Sequence, residues 1–559
     1  MSSKGLPVIQ VLPDIKGTPE FEAQRAAILD TLWANVPRDL HIPQTIIDNP
    51  PRDVTAIPRE LGILTPEELD ITESYDAVSL AAAIAARKFT AVAVATAFSK
   101  RAIIAHQLTC CLTEWFMDEA VAQARALDEH LERTGKTVGP LHGVPVAVKE
   151  MVPLAGHHSS LGFLVTRRRD EEDCQMTAAL RAAGAVFHCK TLQPQGVMHI
   201  ETVSPFGRTL NPYNINLSAG GSTGGGSALV ALRGSLLAVA TDIGGSIRVP
   251  ASFCGIYGFK PTSHTLPLQG FTGDDGYAAE LNILASTGPL GVSLRDLDLF
   301  VSALKASQPH LQDPNLIPIP WTGLDTPAPA SRPLKVGFMT DDGVIAPQPP
   351  VARALAWAKE KLASSSAFEV KAFAPYHAAE AARAAKLAYS PDGGKGVRQA
   401  LAATGEPEME LTTLALADPE VLEQDLDAAG LIKQRVARDK FRRGFSAHWA
   451  SQDVDVVVCP ASMGPAWKHD TGVFFNYASF WNYVDCPGAV VPTPIRVLAK
   501  GEEGYTSAEP LSQDCESVRR LWEEGDFEGA PVGIQVVARK YHDNELFAAL
   551  RALQEPLGI

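Results

Sequence analysis

The sequence predicts an α/β fold, on three observations. From Leu141 onward, short and fully apolar runs alternate with segments of helical periodicity, the pattern of buried strands linked by helices. Two turns rich in glycine and serine interrupt that alternation. Further buried-strand runs at 454–458, 489–491 and 532–537 return late in the chain, so the sheet is expected to draw on both halves.

Taken in order, residues 21–33 carry apolar side chains at helical spacing. Thr65-Pro66-Glu67-Glu68 has the form of a capping box with proline at the first helical position. Ala-rich residues 78–106 and residues 117–133 continue the helical pattern, and these helices are expected to cover the core. Residues 144–148 read as a buried strand, 176–183 as a helix ended by Gly184, and 185–189 as a second strand. A helix at 227–232 and a strand at 236–240 lead into the second glycine turn. A proline-rich stretch, 309–333, precedes another strand at 334–339 and a helix at 351–362; it is a linker or an excursion over one core. The acidic stretch 513–528 reads as a solvated surface insertion.

Composition narrows the partners. The chain has 559 residues, 46% hydrophobic and 20% charged, enough to bury a large core. A net charge of −15 and a pI near 5.4 argue against nucleic acid or an anionic membrane surface, both of which favour basic proteins. A small uncharged substrate is the easier fit. The eight cysteines form no CxxC pair and no ligand-spaced cluster, so reduced thiols in a cytoplasmic protein are expected, with no disulfide framework and no metal. The opening Met1-Ser2-Ser3-Lys4-Gly5, soon followed by Pro, Asp and Glu, leaves no apolar core for an export signal. The most apolar later stretch, 228–240, is broken by Arg233 and Gly234 and is shorter than the roughly 20 residues a membrane helix needs.

Three segments carry chemistry. They are Gly143-Val-Pro-Val-Ala-Val-Lys149-Glu150, Gly220-Gly-Ser222-Thr-Gly-Gly-Gly-Ser-Ala228 and Thr241-Asp-Ile-Gly-Gly-Ser246-Ile-Arg248. A serine hydroxyl becomes a useful nucleophile when a base takes its proton, and a lysine serves as that base when its surroundings keep it neutral. Val144, Val146, Ala147 and Val148 supply an apolar setting for Lys149, with Glu150 opposing the shift if it points the same way. Gly244 and Gly245 allow the backbone to approach a substrate closely and aim N–H groups at an oxyanion, which favours Ser246 as nucleophile. Ser222 can stand between lysine and nucleophile and pass the proton along. Asp242 and Arg248 are expected to hold the turn by ion pairing.

These segments resemble the signature of the amidase signature family, with support from 192–202, 206–213, 251–261, 481–485 and 531–535. The resemblance runs from about Ala77 to the C-terminus and is nearest to fungal acetamidase-like and general amidases. It implies a large mixed β-sheet core covered by helices on both faces, in a single domain over 77–559 with a helical N-terminal extension over 1–76 packed on it. It also implies amide hydrolysis through a Ser-cisSer-Lys triad, with Lys149 as base, Ser222 as relay on a cis peptide bond and Ser246 as the nucleophile that becomes acylated. Ile243, Gly244, Gly245 and Ser246 would line the oxyanion site, and the backbone near Val197 would contact the relay or the substrate. Substrate choice would lie with residues 197–205, the segment after Phe259 and residues 474–483. Thr223, Glu150 and Gly226-Ser227 depart from the commonest family pattern, which bears on the hydrogen-bond shell rather than on the reaction class.

Other readings are weaker. Gly220-Gly-Ser222-Thr-Gly224 also fits the nucleophile elbow of an α/β-hydrolase, with a later acid and one of His264, His310, His377, His448, His469 or His542, but 211–216 reads as a turn where that elbow needs a strand. A subunit of a tRNA-dependent amidotransferase would carry the same triad beside a partner protein. No phosphate loop or dinucleotide motif is present, His199-x-Glu201 lacks the cysteines of a zinc deaminase, and His157-His158 reads as a loop pair, so no cofactor is expected. The expected partner is a small-molecule amide, with neither nucleic acid nor membrane; a homodimer is left open.

Overall fold

The computed structural model describes residues 8–9, 15–271, 281–328, 332–507 and 509–559. The stretch 1–5 read for export, and residues 329–331 of the proline-rich stretch, lie outside them.

Eleven strands of the described residues form one sheet. In chain order they are β1 (Leu112–Trp115), β2 (Pro145–Lys149), β3 (Val186–Thr191), β4 (Leu237–Asp242), β5 (Tyr257–Lys260) and β6 (Ser286–Gly291). The second half adds β7 (Leu334–Phe338), β8 (Phe368–Ala372), β9 (Val456–Pro460), β10 (Gly488–Arg496) and β11 (Pro531–Val537). Their order across the sheet is β1-β3-β2-β4-β6-β5-β10-β11-β9-β7-β8. The sheet is mixed: β3, β2 and β4 run parallel, as do β9, β7 and β8, while antiparallel pairs join these two blocks.

Alternation along the inner strands feeds two cores. Val146 and Val148 of β2, with Leu237 and Val239 of β4, pack into one cluster with the helices Leu294–Ala306 and Asp543–Leu557. Their neighbours Ala147, Ala238 and Ala240 face a second cluster with the helices Ala91–Thr109 and Gly224–Ala231. Successive side chains of a strand point to opposite faces, so both faces are covered and every residue of these strands is apolar until the site is reached.

Several expectations change in detail. The 78–106 pattern is two helices, Ala77–Ala85 and Ala91–Thr109, because Arg87 turns the chain with φ +60° and Thr90 caps the second helix through Ala93 N–H. The capping box at Thr65–Glu68 forms with both of its bonds. The helix expected at 227–232 already begins at Gly224, where a Cβ at Gly225 would run into the carbonyl oxygens of Cys111 and Leu192. The acidic stretch forms the helix Gln513–Glu524, which buries Cys515 and Val518 and so is packed on one side. The proline-rich stretch crosses the core, with Ile317 N–H bonded to the His264 carbonyl (2.8 Å) and the Trp321 ring against Phe547 (4.8 Å). At the N-terminus the helix Pro19–Ala34 lays Leu29 and Trp33 against Cys110, Leu192 and Phe206.

Candidate active site

Lys149 ends β2, and Thr241 is the penultimate residue of β4, its parallel neighbour. The carboxyl ends of the two strands therefore open side by side, the usual place for a site in an α/β sheet. Lys149 Nζ donates to Thr241 Oγ1 (2.8 Å) and to Ser222 Oγ (2.7 Å). Lys149 and Ser222 are wholly buried. Burial pushes the Lys149 pKa down to about 7, against the pull of the Asp242 and Glu150 carboxylates. Its two hydrogen-bond partners are uncharged hydroxyls. Lys190, equally buried, has Asp170 at 3.8 Å and is brought only to about 8 by burial.

Ser222 follows a cis peptide bond from Gly221. A Cβ at Gly221 would collide with the His199 carbonyl oxygen and the Glu201 backbone, so only glycine lets the 199–201 segment lie directly on this turn. The strand before the turn, Asn214–Ser218, belongs to a small hairpin with Leu210–Asn211 outside the main sheet. That is a turn-like element rather than the core strand of a nucleophile elbow, and the side-chain partner of Ser222 is Lys149 rather than a histidine. His448 and His469 bind the Ala374 and Ile215 carbonyls instead.

The second turn, from Asp242 to Arg248, is held by a buried ion pair, Arg248 Nη2 to Asp242 Oδ1 at 3.0 Å. Asp242 also accepts from the Gly245 and Ile247 N–H groups (2.9 and 3.1 Å) and from Asn482 Nδ2 (2.8 Å). Arg248 donates further to Gln535 Oε1 and Asn482 Oδ1, both at 2.6 Å. Burial by itself would raise the Asp242 carboxyl, but Arg248 and these bonds hold it well below the usual carboxylate range. Gly245 has φ +123°, and a side chain there would strike Ala478. The two turns are tied by Thr223 N–H donating to the Ser246 carbonyl (3.2 Å). Among the described residues the Lys149–Ser222 bond is formed, whereas the Ser222 and Ser246 hydroxyls are not bonded to each other.

A narrow cavity opens at Ser246. Ile243, Gly244 and Ser246 line it from the turn, and Met198, Ile200, Tyr389 and Phe475 line it from elsewhere. Of the residues expected to touch substrate, Ser222 is wholly buried and bonded to Lys149, and the Gly245 amide is already committed to Asp242. Val197 is a buried turn residue with φ +61°, its N–H bonded to the Pro194 carbonyl (3.0 Å), and its neighbours Met198 and Ile200 line the cavity. Phe475 falls in the expected 474–483 range; of the segment after Phe259, no residue among the described ones is in this lining, and 272–280 lie outside the described residues. The sequence reading does not single out Thr241, which bonds Lys149, or Tyr389, which lines the cavity. Pairing β4 with the lysine strand would have exposed Thr241, but Tyr389 ends an Ala-rich helix, Ala378–Tyr389, and carries no local signal. A roomier cavity of about 450 Å³ lies among Val497, Tyr505, Arg519 and Trp522 and contains none of these residues.

Comparison with known proteins decides the family. The family model named Amidase matches residues 93–547, which include Lys149, Ser222 and Ser246. The chain belongs to the amidase signature family. A relative from Schizosaccharomyces pombe, C550.07, is 40% identical over 522 residues, covering 92% of this chain and 96% of the relative. The Acetamidase of Aspergillus oryzae is 34% identical over 517 residues, covering 90% and 93%. Among solved structures, a fatty acid amide hydrolase matches with a TM-score of 0.88 at 30% identity over 100% of both chains. A bacterial aryl acylamidase shares the fold, with a TM-score of 0.68 at 19% identity over 86% of this chain and 96% of the other. The protein is an amidase, a hydrolase of amide C–N bonds. Among the described residues of the amidase no helix is long and apolar enough to cross a membrane, and all eight cysteines are buried and unbridged.

Proposed function

We propose that this amidase cleaves small, uncharged carboxamides by acyl transfer to Ser246. The 2.7 Å bond between Lys149 and Ser222 in a fully buried pocket carries the reading. A lysine with a pKa near 7 is neutral in a substantial fraction of molecules at neutral pH, so its lone pair can take the Ser222 proton while Ser222 takes that of Ser246. Ser246 Oγ then attacks the amide carbonyl, and the developing oxyanion is met by backbone N–H groups of the 243–246 turn. With Gly245 N–H turned to Asp242, the candidate donors are Ile243, Gly244 and Ser246. The protons return along the same route to the leaving nitrogen, which departs as ammonia or an amine. Water attacks the acyl-enzyme next and yields the carboxylic acid.

The substrate class follows from the lining. Apart from Ser246 and the Tyr389 hydroxyl, the described residues lining the cavity offer aliphatic and aromatic side chains, the Met198 thioether and backbone, with no charged side chain among them, which suits an uncharged amide. The Aspergillus oryzae relative bearing the name Acetamidase supports a short acyl group. In this reading residues 77–559 act as one catalytic domain, 1–76 as its covering extension, and the protein works in the cytoplasm, alone or as a homodimer. The test is ammonia release by the purified chain from a panel of simple amides, with wild type and Ser246→Ala. Turnover by wild type alone supports the proposal; a requirement for a second protein would favour the amidotransferase subunit.

A further inference from the structure

The geometry points to Tyr389 as a positioning residue that aims and strengthens an oxyanion donor through its hydroxyl, an inference that rests on Ser246 being the nucleophile. Tyr389 O–H donates to the Ile243 carbonyl oxygen at 2.9 Å. That carbonyl belongs to the same peptide unit as the Gly244 N–H. The Ile243–Gly244 bond is trans, because the cis bond among the described residues is Gly221–Ser222. In a trans peptide the C=O and N–H point in opposite directions, so fixing one end fixes the other. A donor on the oxygen also draws electron density away from the nitrogen, which makes the N–H a better donor.

Two further observations support this role. The approach depends on glycine, since a Cβ at Gly244 would lie 2.8 Å from the Tyr389 oxygen. The tyrosine is also held from behind: Gln424 Nε2 donates to both the Leu387 and Ser390 carbonyls (2.9 Å each), pinning the end of its helix. Its ring lies 6.1 Å from that of Phe475, centroid to centroid, and both rings line the cavity beside Ser246. The ring therefore shapes the cavity while the hydroxyl acts on the peptide that carries the charge-binding amide.

The test uses Tyr389→Phe in the full chain, which keeps the ring and removes the hydroxyl. The expected result is a fall in kcat of about tenfold, below the 10²- to 10³-fold cost of losing a direct oxyanion donor, with KM changed less than about twofold. A trifluoromethyl ketone, whose adduct carries the oxyanion, should bind about tenfold more weakly, while the product acid binds as before. Tyr389→3-fluorotyrosine, with a more acidic phenol, should match or exceed wild-type kcat. Unchanged kcat in Tyr389→Phe, a parallel loss of product-acid binding, or a fall in kcat with the fluorinated residue would overturn the inference. Failure of the underlying reading shows separately, as a trifluoromethyl ketone that binds Ser246→Ala as tightly as wild type.

Discussion

The floor of the site comes from two neighbouring strands and the turns beside them, with Lys149, Ser222, Thr241 and Asp242 to Arg248 bonded to one another. The wall is gathered from three separate segments, which bring Met198 and Ile200, Tyr389, and Phe475 to the cavity, with the Tyr389 hydroxyl on the Ile243 carbonyl. The contrast assigns different work to each. In the proposed mechanism the floor residues, and the Tyr389 hydroxyl acting on the floor through the Ile243 carbonyl, serve steps that any amide requires, whereas the side chains of the wall meet the part of the substrate that differs from one amide to another. Changes in the floor or loss of that hydroxyl should cost all substrates alike, and changes in the apolar side chains of the wall should reorder them.

The largest effect is expected from Ser246→Ala, with turnover lower by about 10³- to 10⁶-fold on every amide tested. A loss confined to some substrates would break the distinction between floor and wall. Next comes Arg248→Met, which leaves the Asp242 carboxylate buried without its cation; thermal or denaturant unfolding should show a loss of about 3–5 kcal/mol. A loss under about 1 kcal/mol would mean that the turn does not depend on the pair.

A third effect is graded by pH. In the proposed mechanism Lys149 works in its neutral form, and with its pKa depressed to about 7, kcat/KM should rise about tenfold per pH unit below 7 and level off above it. Glu150 complicates the assignment, since burial raises its own carboxyl to about 7. Glu150→Gln separates the two: the limb should persist and, with a negative neighbour removed, move if at all toward lower pH. Its disappearance would assign the limb to Glu150. The smallest effect belongs to the wall, where Phe475→Ala should enlarge the cavity and raise kcat/KM for longer acyl chains relative to the shortest by about tenfold. Equal losses on all chain lengths would place Phe475 with the floor.

The same division decided what could be read from the sequence. The floor was legible because its chemistry is local: a lysine closing a Val-rich strand, and serines among glycines whose missing side chains allow close backbone approaches at Gly221 and Gly245. The inner strands β2, β4, β9 and β11 were equally plain as apolar runs. β6 was hidden, since Ser286–Gly291 contains two glycines and Pro289, yet it lies between β4 and β5 with Pro289 opposite Val239. The short strands β1 and β5, and β8 at the sheet edge, were missed as well. The wall was the least legible because contacts over long sequence separations bring it together, as between Tyr389 and Ile243.

The assignment of the nucleophile is tested most directly by treating the protein with a serine-directed phosphonyl fluoride and mapping the adduct by peptide mass spectrometry. The account predicts a single adduct on Ser246, absent from Ser246→Ala. An adduct on Ser222, or one that survives in Ser246→Ala, would contradict it.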